Sequence, residues 1–234
     1  MSADFSVVFA LYPRLTQLDF TGPLEVFARL PQARIVLAAT RAGTLSADSG
    51  LTFADVCALG EVSDCALLCV PGGYGCTEAL EDPIFLESLR RLGTRARYVT
   101  SVCTGSLLLG AAGLLRGRRA ACHWAFRELL SAFGAIPDPA RVVRDGNVFT
   151  GGGVTAGIDM ALTVMAEIAG VEHAQAVQLE MEYAPAPPFD SGRPERAPPA
   201  IVATVRRHFE RVRSARLAAV QRAGVALAAR AVID

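Results

Sequence analysis

No apolar run in the 234 residues approaches the roughly 18 needed to span a bilayer, and no basic segment precedes the first apolar stretch in MSADFSVVFALYP. A membrane span and a secretory leader are therefore not expected, and the chain reads as a cytoplasmic protein. Net charge is missing as well. The 23 Lys+Arg residues balance 23 Asp+Glu, so no general field draws the chain toward nucleic acid or an anionic membrane. The 6 cysteines, at 57, 65, 69, 76, 103 and 122, contain no C-x-x-C pair, and the 3 histidines are dispersed. A structural metal site is not expected, and without a leader free thiols are a better default than disulfides. Cys57, Cys65 and Cys69 read as small apolar filling near a buried strand.

Hydrophobic residues make up 52% of the chain, ample for a large core. Apolar runs at 6–11, 34–40, 66–70 and 98–102 read as strands, with a hairpin or turn at 46–53 and two short strands around the Asp145-Gly-Asn turn. Helical spacing marks 19–30, 83–95, 104–115, 124–133 and 155–169, with Pro23 expected near the first turn of its helix. This alternation predicts an α/β fold, a mostly parallel sheet covered on both faces, with ligands at the strand carboxyl ends. A proline-rich stretch at 183–199 and one Ala- and Arg-rich helix to about Ala231 follow. The expected organisation is a domain over 1–189, with an arm and helix over 190–234 packed on that domain or on a dimer partner.

The segment YVTSVCTGS (98–106) carries the most chemistry. An apolar strand ends, a cysteine appears, and a helix begins at the next residue. So abrupt a turn strains its central residue and pushes the side chain into the crevice. The helix end beside Cys103 is expected to favour its thiolate, and Gly105 to let that helix pack closely. A buried core cysteine is the bland alternative, but the flanking Thr100, Ser101, Thr104 and Ser106 make it the weaker one. A thiolate needs an acid–base partner. His123 either faces the crevice or packs with Trp124. Asp19 is either a helix N-cap or an acid facing Cys103, and its place after the first strand favours the second. Pro71-Gly72-Gly73 ends another strand in the same crevice, and Gly152 and Gly153 lie in a Gly-rich run. These four glycines are expected to offer backbone N–H groups to a substrate.

The segments QLDFTGPLEV (17–26), PGG (71–73), YVTSVCTGS (98–106), GAAGLL (110–115), CHW (122–124), VRDGN (143–147), TGGGVTAGID (150–159) and EYAPAPPF (182–189) closely resemble the ThiJ/PfpI superfamily, and within it the branch that hydrates isocyanides. The likeness covers about residues 5–189. It implies a flavodoxin-like sandwich, a homodimer, Cys103 as nucleophile, Asp19 as acid and Thr104 as supporting hydroxyl. Cys76 and Cys122 depart from the expected pattern and leave room for redox chemistry. Many members of the superfamily carry Glu where this chain has Asp19, and the shorter acid leaves space for a bound molecule.

The implied reaction is hydration of an isocyanide to an N-substituted formamide, through a thioimidate on Cys103, with Asp19 first protonating nitrogen and then activating water. It needs no metal or organic cofactor. The implied partner is a small isocyanide, with neither nucleic acid nor membrane. Two alternatives stand beside it. One is a sensor domain of AraC-type regulators, whose two helix-turn-helix units do not match the single Arg-rich helix expected here, read as a solvated or dimer-facing surface. The other is a glyoxalase-, deglycase- or amidase-like enzyme, chemistries that rely on Glu or a Cys–His pair.

Overall fold

The computed structural model describes residues 5–230. The expected segments 1–189 and 190–234 extend beyond it at residues 1–4 and 231–234. The chain runs β1 (Phe5–Ala10), α1 (Gln17–Phe27), β2 (Ala33–Ala39), β3 (Gly43–Ser46), β4 (Thr52–Ala58), β5 (Leu67–Val70), α2 (Cys76–Ala79), α3 (Pro83–Gly93), β6 (Tyr98–Val102), α4 (Gly105–Ala111), β7 (Arg119–Ala120), β8 (Ile136–Pro137), β9 (Val142–Asp145), β10 (Val148–Gly151), α5 (Ala156–Ala169), α6 (Val171–Glu180) and α7 (Pro199–Arg230). Eight strands form one sheet in the order β3-β4-β2-β1-β5-β6-β10-β9. All neighbours are parallel except the two edge pairs, β3–β4 and β9–β10. The α/β sandwich with a mostly parallel sheet is as the sequence predicts.

Composition explains the layering. Strands β5 and β6 are buried throughout, and their apolar runs have no alternation because helices cover both faces. From β1 the chain crosses first to β2 and later returns to β5 on the other side. That reversal leaves a crevice between the carboxyl ends of β1 and β5, where sheets of this kind hold ligands. Leu15, after β1, bridges to Gly73, after β5, across it.

Several local expectations change. Helix α1 begins at Gln17 with Thr16 as N-cap, two residues before Asp19, so Asp19 lies within the first turn and Pro23 inside the helix. The stretch expected as a helix over 124–133 is a 3-10 turn at Arg127–Phe133, closed by Gly134 with φ 71. The Arg-rich helix is largely exposed but is anchored along one side. Arg216, Ala219, Val220 and Ala223 are buried as α7 lies on its own domain, against α2, α4 and the Arg127–Phe133 turn. Arg222 and Arg230 pair with Glu81 and Glu87. No helix among the described residues is long and apolar enough to cross a membrane.

Candidate active site

Cys103 closes β6 with φ 57, a left-handed conformation that is uncommon away from glycine and strained here. The strain is held from both sides. The Cys103 N–H donates to Gly151 O at 3.0 Å, continuing the β6–β10 ladder, while α4 starts immediately afterwards. A Cβ on Gly105 would sit 2.1 Å from Val70 O, so only glycine lets α4 approach so closely. The strand it approaches is β5, not the β6 strand that leads into it.

Asp19 is fully buried, and it is not a helix cap. Its Oδ2 accepts a 2.9 Å hydrogen bond from Gly72 N–H across the crevice. Its Oδ1 is buried without a well-formed hydrogen bond among the described residues. Burial raises the carboxyl pKa to about 7, against the opposing pull of Gly72 N–H and of the Cys103 thiol, which lies close enough to act weakly on it. Asp19 thus exchanges a proton near neutral pH.

The helix-end argument for a resting thiolate fails. Burial pushes the Cys103 thiol well above its ordinary value, and the charges of Asp19 and Cys122 add to the rise. The Thr104 N–H and the Arg216 charge oppose it but are the smaller effects. Burial therefore favours the thiol form of Cys103, with the Asp19 carboxyl close by.

The other expected residues fall as follows. Thr104 Oγ1 accepts from Gly73 N–H at 3.1 Å, so the threonine braces the glycine loop. The amides of Gly72, Gly73 and Gly152 are all engaged within the protein, with Asp19, Thr104 and Arg141 O, so these three are not free donors to a substrate. A Cβ on Gly72 would lie 2.5 Å from Thr104 N and 2.8 Å from Asp19 Oδ2, so its role is close approach. Gly153 sits near His123, with Val154 rather than Gly152 or Gly153 lining the pocket.

His123 does face the pocket, packed with Trp124, Phe126 and Phe209. Burial and the Arg216 charge lower its pKa to about 4, and its Nδ1 accepts from Ala125 N–H at 3.3 Å. It is a neutral wall at physiological pH. Cys76 and Cys122 are buried, and burial raises both thiols. Cys65 and Cys69 rise to about 12 for the same reason, as suits core thiols.

The cavity over Cys103 holds about 250 Å³. Tyr74, His123, Phe126, Val154, Phe209 and Val212 make most of its wall, with Thr16 and Asp48 also contributing. Phe209, Val212 and Arg216 come from α7, and nothing in the sequence around them signals a place in the pocket. The missed residue of most consequence is Arg216, buried and charged.

A parallel sheet with a strained cysteine elbow at one strand end and a buried carboxyl at the next crevice defines a cysteine-elbow α/β protein. The chain belongs to the DJ-1/PfpI family, whose model matches residues 5–167. It is 51% identical over 199 residues to the isonitrile hydratase of Pseudomonas putida, covering 85% of this chain and 87% of that one. A crystal structure of a ThiJ/PfpI family protein from Pseudomonas syringae superimposes with a TM-score of 0.90 at 39% identity, over 93% of this chain and 91% of the other. The HTH-type transcriptional regulator GlxA of Rhizobium meliloti is 30% identical over 171 residues, which make up 72% of this chain and 53% of the regulator.

Proposed function

We propose that this protein hydrates isocyanides to N-substituted formamides, with Cys103 as nucleophile and Asp19 as the proton carrier. The observation that carries the reading is the 51% identity to an isonitrile hydratase over most of both chains. The buried Asp19–Cys103 arrangement fits the chemistry.

Proton balance fixes the order of events. As the Cys103 sulfur adds to the terminal carbon of R–N≡C, ionised Asp19 takes the thiol proton and passes it to that same carbon, leaving the thioimidate R–N=CH–S. This corrects the expectation of first protonation at nitrogen, because the formamide carbon must carry a hydrogen. Water then adds to the C=N carbon, with Asp19 relaying a water proton to nitrogen. The tetrahedral adduct collapses to R–NH–CHO, and its remaining hydroxyl proton returns to the departing sulfur through Asp19. A carboxyl with a pKa of about 7 suits a group that must accept and give protons in turn. Thr104, bonded to Gly73 N–H, would act by holding the loop and not by touching substrate.

The wall of aromatic and aliphatic side chains suits an uncharged substrate with an alkyl or aryl group. The reading also includes a homodimer in the cytoplasm, with residues 190–234 serving the same catalytic unit as residues 1–189. Its test is incubation with cyclohexyl or phenyl isocyanide and detection of the matching formamide, with light scattering for the dimer. Absence of formamide from both would overturn the function.

A further inference from the structure

Among the described residues, two charged side chains are buried, Asp19 and Arg216, and both belong to the surroundings of Cys103. Asp19 is accounted for by the proposed reaction. Arg216 is not. It stands on α7, outside the residues 5–167 that match the family model.

Burying a guanidinium without a counter-charge is costly, so its partners bear on what it does. They include no carboxylate among the described residues. Its Nη2 donates to Gly73 O at 2.9 Å and to Tyr74 O at 3.1 Å, and its Nε to Thr77 Oγ1 at 3.3 Å. The guanidinium lies 4.5 Å from the centroid of the Phe126 ring. The loop it grips is the one whose amides hold the Asp19 carboxyl, through Gly72, and Thr104 beside Cys103, through Gly73.

We propose that Arg216 is a positioning residue of this site, clamping the Gly72–Gly73–Tyr74 loop through its carbonyls and supplying the positive charge that favours the Cys103 thiolate during attack. The inference rests on the hydratase reading for its turnover arm alone. The titratable groups around the sulfur are Asp19 from α1, Tyr12 after β1, Tyr74 after β5, Cys76 from α2, Cys122 and His123 after β7, Asp48 from the β3–β4 hairpin and Arg216 from α7. Arg216 is the cation among them, since His123 is neutral.

The test uses the full chain with Arg216→Met and Arg216→Lys, each checked for fold by circular dichroism. Iodoacetamide alkylation of Cys103 is followed by peptide mass spectrometry from pH 7 to 10, beside kcat and KM for one alkyl isocyanide. In Arg216→Met the alkylation profile should move up by about one pH unit, so that the reaction slows about tenfold at a given pH. Its kcat should fall roughly tenfold to a hundredfold with KM less affected, because the loop that places Asp19 is loosened. Arg216→Lys should restore the alkylation profile and only part of kcat, since a lysine cannot hold the carbonyls as a planar fork does. A merely structural role predicts the opposite sign, because freeing α7 from the pocket exposes Cys103 and speeds alkylation. Faster or unchanged alkylation in folded Arg216→Met, or failure of both variants to fold, would overturn the proposal. Loss of hydration in the unmodified protein, with the alkylation shift intact, would instead count against the isocyanide reading.

Discussion

Replacing Asp19 with Asn removes one titrating proton while keeping the shape and the oxygen that accepts from Gly72 N–H. The native carboxyl titrates at about 7 against 3.8 in a model peptide, so the folded protein holds this proton more tightly than the unfolded chain. By linkage, stability then falls as pH rises from about 4 to about 7, because the buried carboxylate must form without a cation at its side. The rise corresponds to about 4 kcal/mol in full, of which about 3 kcal/mol falls between pH 5 and pH 8. Asp19→Asn should lack this component. Urea unfolding of both proteins at pH 5 and pH 8 measures it: the parent should lose about 3 kcal/mol more than the variant over that interval. In the same preparation turnover should drop at least ~10²-fold, because proton donor and water activator go together. Parallel pH dependence of the two stabilities would refute the buried-carboxyl argument. Near-parent turnover of a folded variant would refute the acid–base role.

Cys103→Ala should fold and lose hydration entirely, whereas Cys122→Ala, which removes a buried thiol outside the pocket lining, should keep most of it. Equal inactivation of both, read by formamide production, would reopen the choice of nucleophile. Gly105→Ala should cost ~2 kcal/mol or more in urea unfolding, since its Cβ would meet Val70 O at 2.1 Å, and a neutral result would contradict the packing of α4 on β5. The described residues after Phe189 build one long helix on the pocket wall, and gel shifts at physiological salt should give no sequence-specific complex.

What could be read from sequence follows the range of the interactions involved. The Cys103 elbow is local: strand, cysteine and helix are contiguous, and the φ of 57 follows from their abrupt junction. The crevice position of Asp19 follows from chain order in a parallel sheet, although its helix begins earlier than composition indicates, at Gln17. Gly72 and Gly73 were legible as crevice residues with backbone amides, but not as spent donors, because their partners lie as far off in the chain as Asp19 and Thr104. Arg216 was illegible for the same reason at greater range. Its carbonyl partners are 142 and 143 residues away, and its own segment reads as one of many surface arginines.

The failed expectation of a resting thiolate says the most about how the site works. A short helix end beside Cys103 lowers its pKa, but a fully buried sulfur facing a carboxyl feels desolvation and like charge more strongly. A low-pKa thiolate would be ready to attack, yet the proton for the isocyanide carbon would then have to come from Asp19 alone. A protonated thiol beside a carboxyl near pKa 7 holds that proton and a carrier for it in one place. The same burial that makes Asp19 costly to ionise makes it a stronger base than a solvated carboxylate, and the role proposed for Arg216 is to offset part of the cost once negative charge moves onto sulfur. In the proposed reaction this arrangement transfers a proton at the moment of bond formation, which is what addition to a neutral carbon that must itself be protonated requires.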